Sequence, residues 1–111
     1  MGTRVTPSDS GRTQPKFDEL IHPSTRLTLV ATLASVDWSE FAFLKQRLAL
    51  SDSALSKQLA TLEDVGYVAI ERRLAGSRRK VRARLTDSGR EALNGHIAAL
   101  HEILDAGPSS V

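Results

Sequence analysis

The sequence predicts a mainly α-helical fold with a small β-hairpin, which is an α+β architecture. Three observations in the second half of the chain support this prediction. A stripe of leucines at helical spacing comes first, and two short segments that alternate apolar and charged residues follow it. A longer helical stripe then leads towards the C-terminus. Steps of three and four return to one face of a helix, whereas a period of two is typical of a half-buried strand.

Two helices are predicted before the leucine stripe. The first, over residues 24–35, has apolar residues on two faces, so we expect it to be covered on two sides. One face carries Leu27, Val30, Ala31 and Ala34, and the other carries Leu29 and Leu33. Ser39 is the expected N-cap of the second helix. Its apolar residues at helical spacing are Phe41, Leu44 and Leu48.

The helix with the leucine stripe has clear start and stop signals. Ser51 is suited to cap its N-terminus, and Gly66 is suited to the left-handed conformation that ends a helix. Its stripe consists of Leu55, Leu59 and Leu62. Because about three residues join it to the preceding helix, the pair predicts a helix-turn-helix.

A hairpin and a long helix complete the predicted domain. The first strand alternates around Val68 and Ile70, and the second around Val81, Ala83 and Leu85. Residues 74–79 supply the connecting loop, since they contain Gly76 and Ser77. A last helix is capped by Thr86 and runs to about Ala106, a length of roughly 30 Å. The elements together predict a winged helix-turn-helix with a long C-terminal helix.

The composition limits the classes of function. Seven of the fifteen Lys and Arg residues lie between Arg72 and Arg84, although the net charge is only +2. Such a local basic cluster indicates a polyanionic partner at one face. The chain has no cysteine, which excludes disulfides and cysteine nucleophiles. No catalytic spacing or glycine-rich phosphate loop is visible, so we expect no enzyme and no cofactor.

The three histidines do not predict a metal site. His96 and His101 are five residues apart, so they point about 140° apart around a helix and cannot hold one metal ion from one face. The sequence does not show whether His22 approaches either of them. No stretch has the length of a membrane span or the pattern of a secretory signal, so we expect a cytoplasmic protein that does not contact membranes.

The ordered motifs resemble those of the MarR-like winged-helix transcriptional regulators, especially their compact single-domain group. The matching segments are IHPSTRLTLVATL, WSEFAFLKQRLALSDSALSKQLATLEDVGYV and RRLAGSRRKVRARLTDSGREAL. The combination of LS-x-x-L, LE-x-x-GYV, a basic wing and LT-x-x-G carries the resemblance, which spans about residues 17–104. It implies a DNA-binding domain over residues 17–106. Residues 1–16 are rich in Ser, Thr, Pro and Gly and carry one large apolar residue, so we expect a flexible arm there, and a disordered tail at 107–111.

The resemblance also implies which residues contact DNA. Residues 52–65 match the recognition helix of the family and residues 75–80 match its wing tip. The groove-facing candidates are Ser53, Ser56 and Lys57, with Thr61 on the flank of the same helix, and the wing candidates are Arg78, Arg79 and Lys80. Arg82 and Arg84 lie either on the solvated face of a strand or against DNA. Gln58 stands where relatives often carry histidine. Many larger relatives bind a small-molecule effector, and the sequence does not predict one for this chain.

Two functions are compatible with these features. The first is a sequence-specific DNA-binding transcriptional regulator that acts as a homodimer on double-stranded DNA. The second is a winged-helix module for protein interaction or for sequence-nonspecific architectural DNA binding. The long last helix exceeds what a small body covers, so we expect its stripe and a patch near the N-terminus to form the dimer interface. These residues are Phe17, Leu20, Ile21, Leu93, Ile97, Leu100 and Leu104.

Overall fold

The computed structural model describes residues 13–106, and within them the predicted fold class is confirmed. Four helices and three strands form one mainly helical body with a hairpin and a long C-terminal helix. In chain order they are α1 (Ser24–Ala34), β1 (Ser39–Glu40), α2 (Phe41–Leu48), α3 (Asp52–Asp64), β2 (Val68–Ala75), β3 (Arg78–Leu85) and α4 (Asp87–Ala106). The predicted tail, and residues 1–12 of the predicted arm, lie outside the described residues.

The sheet contains a strand that the sequence pattern did not predict. Its order is β1-β3-β2, and Ser39 of β1 pairs with Ala83 of β3 in an antiparallel register. The prediction that Ser39 caps the second helix was therefore wrong. Its backbone is extended and hydrogen-bonded to β3, so α2 begins only at Phe41, and Glu40 in the cap position makes no side-chain capping bond.

The core lies between the helices and the inner face of the sheet. Leu29, Val30 and Leu33 of α1 are buried there, together with the predicted leucine stripe of α3. Leu27 and Ala34 pack against this core as well, so both predicted apolar faces of α1 are covered except at Ala31, which is exposed. The core also includes Ile21, Leu44, Val68, Ala83, Leu85 and Leu93.

Thr86 connects the end of α3, the start of β2 and the start of α4. Its hydroxyl donates to Gly66 O at 2.6 Å and accepts the Gly89 N–H at 3.0 Å, which confirms its predicted role as the helix cap. A Cβ on Gly89 would lie 2.2 Å from the backbone O of Tyr67. The LT-x-x-G motif is thus explained by a capping threonine and a close approach of two backbones.

Residues 16–22 form a segment that crosses α4, here called the N-terminal strap. Lys16 N–H donates to Gly95 O at 2.9 Å, so the last residue of the predicted arm is attached to the helix. The Asp18 carboxylate accepts the Tyr67 hydroxyl at 2.6 Å and the Leu20 N–H at 2.9 Å. The strap therefore contacts both α4 and Tyr67, which lies a few residues after the C-terminal end of α3.

Candidate nucleic-acid interface

The orientation of α3 is set at its first turn. Ser51 Oγ accepts the Ala54 N–H at 3.1 Å, as the sequence predicted. Asp52 forms a salt bridge of 2.8 Å with Lys45 of α2, and Ala49 takes a left-handed conformation with a φ of 54° in the connecting turn. These contacts, together with the buried leucine stripe, attach α3 to α2 as a helix-turn-helix.

The face of α3 that points away from the core carries short polar side chains. Ser53, Ser56 and Lys57 are all exposed there, where the sequence placed them. Thr61 is half-buried, and its hydroxyl donates to Lys57 O at 3.0 Å. Thr61 therefore has less freedom to bond an external group than Ser56 has, and Ser53 Oγ lies 3.4 Å from Ser51 Oγ.

Gln58 links the middle of α3 to the rest of the body. Its Oε1 accepts Arg26 Nη1 at 3.0 Å, while Arg26 Nε donates to Leu20 O of the strap at 2.6 Å. Gln58, which the resemblance marks as a departure from the histidine of relatives, thus links α3 through Arg26 to the strap. No pattern in the sequence predicts this link, because Leu20, Arg26 and Gln58 lie on three separate elements.

The wing is longer than its alternating pattern predicted. β2 and β3 remain paired from Val68↔Leu85 to Ala75↔Arg78, and the two-residue turn contains Gly76 at a φ of +68°. Residues 78–80, predicted as part of a loop tip, are therefore strand residues. Because successive side chains of a strand alternate in direction, Arg79 lies on the opposite face from Arg78 and Lys80.

The face of the wing to which Arg79 belongs is turned towards α3. Arg72 shares that face and places its Nη2 4.0 Å from Glu63 of α3. Arg78, Arg79 and Lys80 are exposed, and within residues 13–106 neither they nor Lys57 form a salt bridge. These four cations thus remain available to an external anion.

Arg82 and Arg84, which the sequence left undecided, are engaged at the base of the wing. Their guanidinium carbons lie 4.1 Å and 5.6 Å from the centroid of the Trp38 ring. Arg82 also bonds the Glu71 carboxylate across the two strands, and this bond lowers the pKa of Glu71 below its ordinary value. These arginines attach the sheet to the segment before α2. Sequence reasoning had not assigned any role to Trp38.

The residues expected at a dimer interface separate into three groups by their burial. Ile21 and Leu93 are buried in the core of the single chain, so their surface is already covered. Leu20 and Leu100 are half-buried, while Phe17, Ile97 and Leu104 are exposed. Every residue from His101 to Ala106 is exposed as well, so the last turns of α4 extend beyond the body.

The described part of the chain offers no metal centre. Among residues 13–106, no three His, Asp or Glu side chains are placed to hold one metal ion. His22 does approach His96, with 3.3 Å between Nδ1 of the first and Nε2 of the second, a contact that the sequence did not reveal. No helix in this range is long and apolar enough to cross a membrane.

The helix-turn-helix, the exposed edge of α3 and the basic hairpin define a DNA-binding protein of the winged-helix class. Residues 25–104 match the model of the winged helix DNA-binding domain family, and the chain belongs to that family. An uncharacterized protein from Methanocaldococcus jannaschii is 30% identical over 86 residues, which cover 78% of this chain and 90% of that protein. The expectation of a DNA-binding regulator that is not an enzyme agrees with this membership.

Solved structures agree with the family assignment. A transcriptional regulator homologue from Pyrococcus horikoshii has a TM-score of 0.74 at 21% identity, covering 80% of this chain and 88% of that one, and this similarity concerns the fold. A MarR family transcriptional regulator from Streptomyces coelicolor, solved in complex with DNA, has a TM-score of 0.61 at 26% identity. That match covers 84% of this chain and 66% of that one. The resemblance to MarR-like regulators is confirmed.

Proposed function

We propose that this chain is a sequence-specific transcriptional regulator that binds double-stranded DNA as a homodimer. One observation carries the proposal: a single rigid body presents both the polar edge of α3 and the unpaired cations of the wing. The major groove of DNA admits an α-helix, and α3 exposes Ser53 and Ser56 on its outer face. With α3 in the groove, the wing lies along the backbone or the adjacent minor groove.

Phosphate contacts supply the affinity in this proposal. Lys57, Arg78, Arg79 and Lys80 are exposed and form no salt bridge within residues 13–106. Phosphates recur at every base pair and carry no sequence information, so these contacts position the protein without reading bases. A dimer that uses most of its eight such charges gives a slope of log K against log salt of roughly −5 to −7.

Base recognition depends on α3 and on the shape of DNA. Serine hydroxyls are short, and Ser56 is held in place by the neighbouring buried residue Leu55. Such a side chain bonds a base edge directly or through an ordered water molecule. We expect the remaining specificity to come from groove width and deformability, which arginines of a wing sense in the minor groove.

A homodimer accounts for the exposed end of α4. Leu104 is 72% exposed and Ile103 is 56% exposed, and Phe17 of the strap is 40% exposed. An apolar surface of this kind at the end of a projecting helix is typical of a subunit interface. A two-fold dimer then presents two copies of α3 to two half-sites.

One observation favours the second function. The outer edge of α3 carries serine and alanine and no arginine or asparagine, so its capacity for direct base readout is small. A sequence-nonspecific architectural DNA-binding protein, or a protein-interaction module, needs no such readout. The wing cations argue against the protein-interaction module. The ratio of the affinities for an operator duplex and a random duplex separates the first function from the architectural one.

The test compares two variants on a selected operator duplex and on a random duplex over a salt series. Arg79→Ala removes a phosphate contact, so we expect similar weakening on both duplexes and a salt slope smaller by about 1 per subunit. Ser56→Ala removes no charge and leaves the slope unchanged. It costs about 1 kcal/mol or more on the operator and almost nothing on random DNA.

Matched controls exclude general effects of charge or of serine loss. Arg90 donates to Ala34 O at 3.1 Å, and Ser88 is exposed at the start of α4. Arg90→Ala and Ser88→Ala should leave both affinities unchanged. A slope near zero, or no binding to any duplex at low salt, rules out DNA binding, and equal affinity for both duplexes supports the architectural function instead.

The homodimer is tested separately with Leu104→Glu. Because Leu104 is largely exposed within one chain, the substitution leaves the protomer core intact. We expect monomers by light scattering and a sharp loss of DNA affinity, since the second half-site is no longer occupied. Ala42→Glu, an equally charged change at an exposed position of α2, should stay dimeric. A wild-type protein that is monomeric at micromolar concentration contradicts the proposed interface.

A further inference from the structure

His96 is a buried titratable group that DNA binding does not use. Its side chain lies on α4 and has 0% exposure. Both of its ring nitrogens are engaged by the strap: Nδ1 accepts the Asp18 N–H at 3.0 Å, and Nε2 lies 3.3 Å from His22 Nδ1. The two histidines therefore close one end of the strap onto α4.

The backbone donor fixes the proton positions in this pair. A backbone N–H only donates, so Nδ1 of His96 carries no proton and its Nε2 must carry one. That Nε2–H donates to His22 Nδ1, which is therefore also unprotonated. Adding a proton at His96 Nδ1 or at His22 Nδ1 places two donors against each other. Either event breaks one of the hydrogen bonds that hold the strap.

The surroundings of His96 favour the neutral ring. Phe17 lies with its ring centroid 4.7 Å from that of His96 and 4.8 Å from that of His22. Burial lowers the pKa of His96 below its ordinary value of 6.5, and the neighbouring His22 lowers it further, against a smaller opposite effect of Asp18. A lowered pKa for a base means that the native state binds fewer protons than the released state. Neutral His96 thus stabilises the closed strap fully above pH 6.5, and this stabilisation decreases as the pH falls below that value.

The other charged groups around α4 are either bonded to partners of their own or exposed to solvent. The Asp18 carboxylate bonds Tyr67, and this bond raises the pKa of Tyr67 to about 12. From α1, Arg26 bonds Leu20 O and Gln58, and from β3, Arg82 and Arg84 lie over Trp38. On the strap itself, Lys16 and Glu19 are exposed. On α4 the exposed charged or titratable residues of the turns around His96 are Arg90, Glu91, His101 and Glu102.

The strap is connected to the recognition helix at two points. Leu20 O accepts Arg26 Nε at 2.6 Å, and the same guanidinium donates to Gln58 Oε1 in the middle of α3. Asp18 accepts the hydroxyl of Tyr67, which follows the C-terminal end of α3. Loss of the strap from α4 therefore removes support from Gln58 in the middle of α3 and from Tyr67 beyond its C-terminal end.

We propose that His22 and His96 form an acid-sensitive latch that holds the strap between α4 and α3, and that protonation of the pair opens the latch and weakens DNA binding. This inference rests on the proposed function for its effect on DNA. The opening itself does not, because it is a property of the free protein. The latch makes the affinity for DNA depend on pH between about 7.5 and 5.5, the range in which histidine titrates.

The first experiment measures the Kd of the full chain for an operator duplex at pH 7.5 and pH 5.5, at constant ionic strength. We expect wild type to lose affinity by up to about tenfold, which is the largest factor that one linked proton gives one pH unit below the histidine pKa of the open latch. His96→Asn places an amide oxygen where Nδ1 accepts the Asp18 N–H, but it does not titrate. This variant keeps the Asp18 bond but lacks the bond to His22, so it should bind more weakly than wild type at pH 7.5 and lose less than about a further twofold at pH 5.5.

Two further variants make the comparison specific. His22 is exposed, so His22→Asn tests the latch without changing a buried position, and it should also reduce the pH effect. His101→Asn changes an exposed histidine of the same helix and should show the same loss of affinity as wild type. Equal pH ratios in wild type, His96→Asn and His22→Asn overturn the proposal.

The second experiment observes the strap without DNA, by amide hydrogen exchange of Asp18. Its protection factor should fall between pH 7.5 and pH 5.5 in wild type and stay constant in His96→Asn. The amide of Leu59 in the core of α3 serves as the reference. A constant protection factor in wild type overturns the latch, and a falling one with unchanged DNA affinity overturns its coupling to DNA. Absence of DNA binding at pH 7.5 refutes the proposed function instead, and the protection factor then decides the latch alone.

Discussion

The base and the tip of the wing contain similar arginines in different environments. At the base, Arg82 bonds Glu71 and lies over Trp38, so its charge is used to attach the sheet to the body. At the tip, Arg78 and Arg79 are exposed and form no salt bridge within residues 13–106. Residue type is therefore a poor guide to function inside one basic cluster. Whether an arginine is free for DNA depends on whether another side chain of the same protein already contacts it.

The largest expected effect concerns the rigidity of the base. A Cβ at Gly89 would meet the Tyr67 backbone O at 2.2 Å, and neither backbone can shift without breaking the Thr86 bonds. Gly89→Ala should therefore lower the free energy of unfolding by about 3 kcal/mol, despite the higher helix propensity of alanine. Urea denaturation measures this difference. A loss below about 1 kcal/mol would show that the base is no more rigid than the tip.

Trp38→Ala should have the second-largest effect. The variant removes a half-buried aromatic surface and the cation–π contacts of two arginines, so we expect a loss of about 2 kcal/mol in urea denaturation. Trp38→Phe keeps a ring beneath Arg82 and should recover about half of the loss. If Trp38→Ala is as stable as wild type, Arg82 and Arg84 do not stabilise the base, and they are as free as the arginines of the tip.

The smallest expected effect is at the turn of the tip. Gly76 has a φ of +68° but open space around its Cα, so Gly76→Ala should cost only about 1 kcal/mol of backbone strain. Gly76→Asn, which tolerates this conformation, should cost less. Thermal unfolding followed by circular dichroism measures both. A cost for Gly76→Ala as large as that for Gly89→Ala would remove the contrast between the two ends of the wing.

The sequence predicted the elements whose signals are local. Ser51, the leucine stripe of α3 and the Thr86 cap each follow from residues within a few positions of one another, and all three are confirmed. β1 was missed because Ser39 and Glu40 become a strand only by pairing with β3. The strands of the wing were predicted too short, because both faces are exposed near the tip and no apolar alternation remains to mark them.

The candidate site was predictable to a similar extent. The exposed edge of α3 followed from its distance to the leucine stripe, whereas the role of Arg82 depended on Trp38, far away in the chain. The strap was the least predictable part. Asp18 and His96 are separated by 78 residues, and no periodicity of the sequence relates a backbone N–H to a distant imidazole.

The short length of β1 has a consequence for the behaviour of the free protein. β1 pairs with β3 only at residues 82–83, and β2 is the outer strand, so the backbone of the wing tip is open on both edges. Open strand edges are templates for association with other chains, and charged side chains oppose such pairing. Arg73, Arg78 and Lys80 therefore keep one hairpin from adding to another. A variant that neutralises all three should lose solubility before its affinity for DNA can be measured.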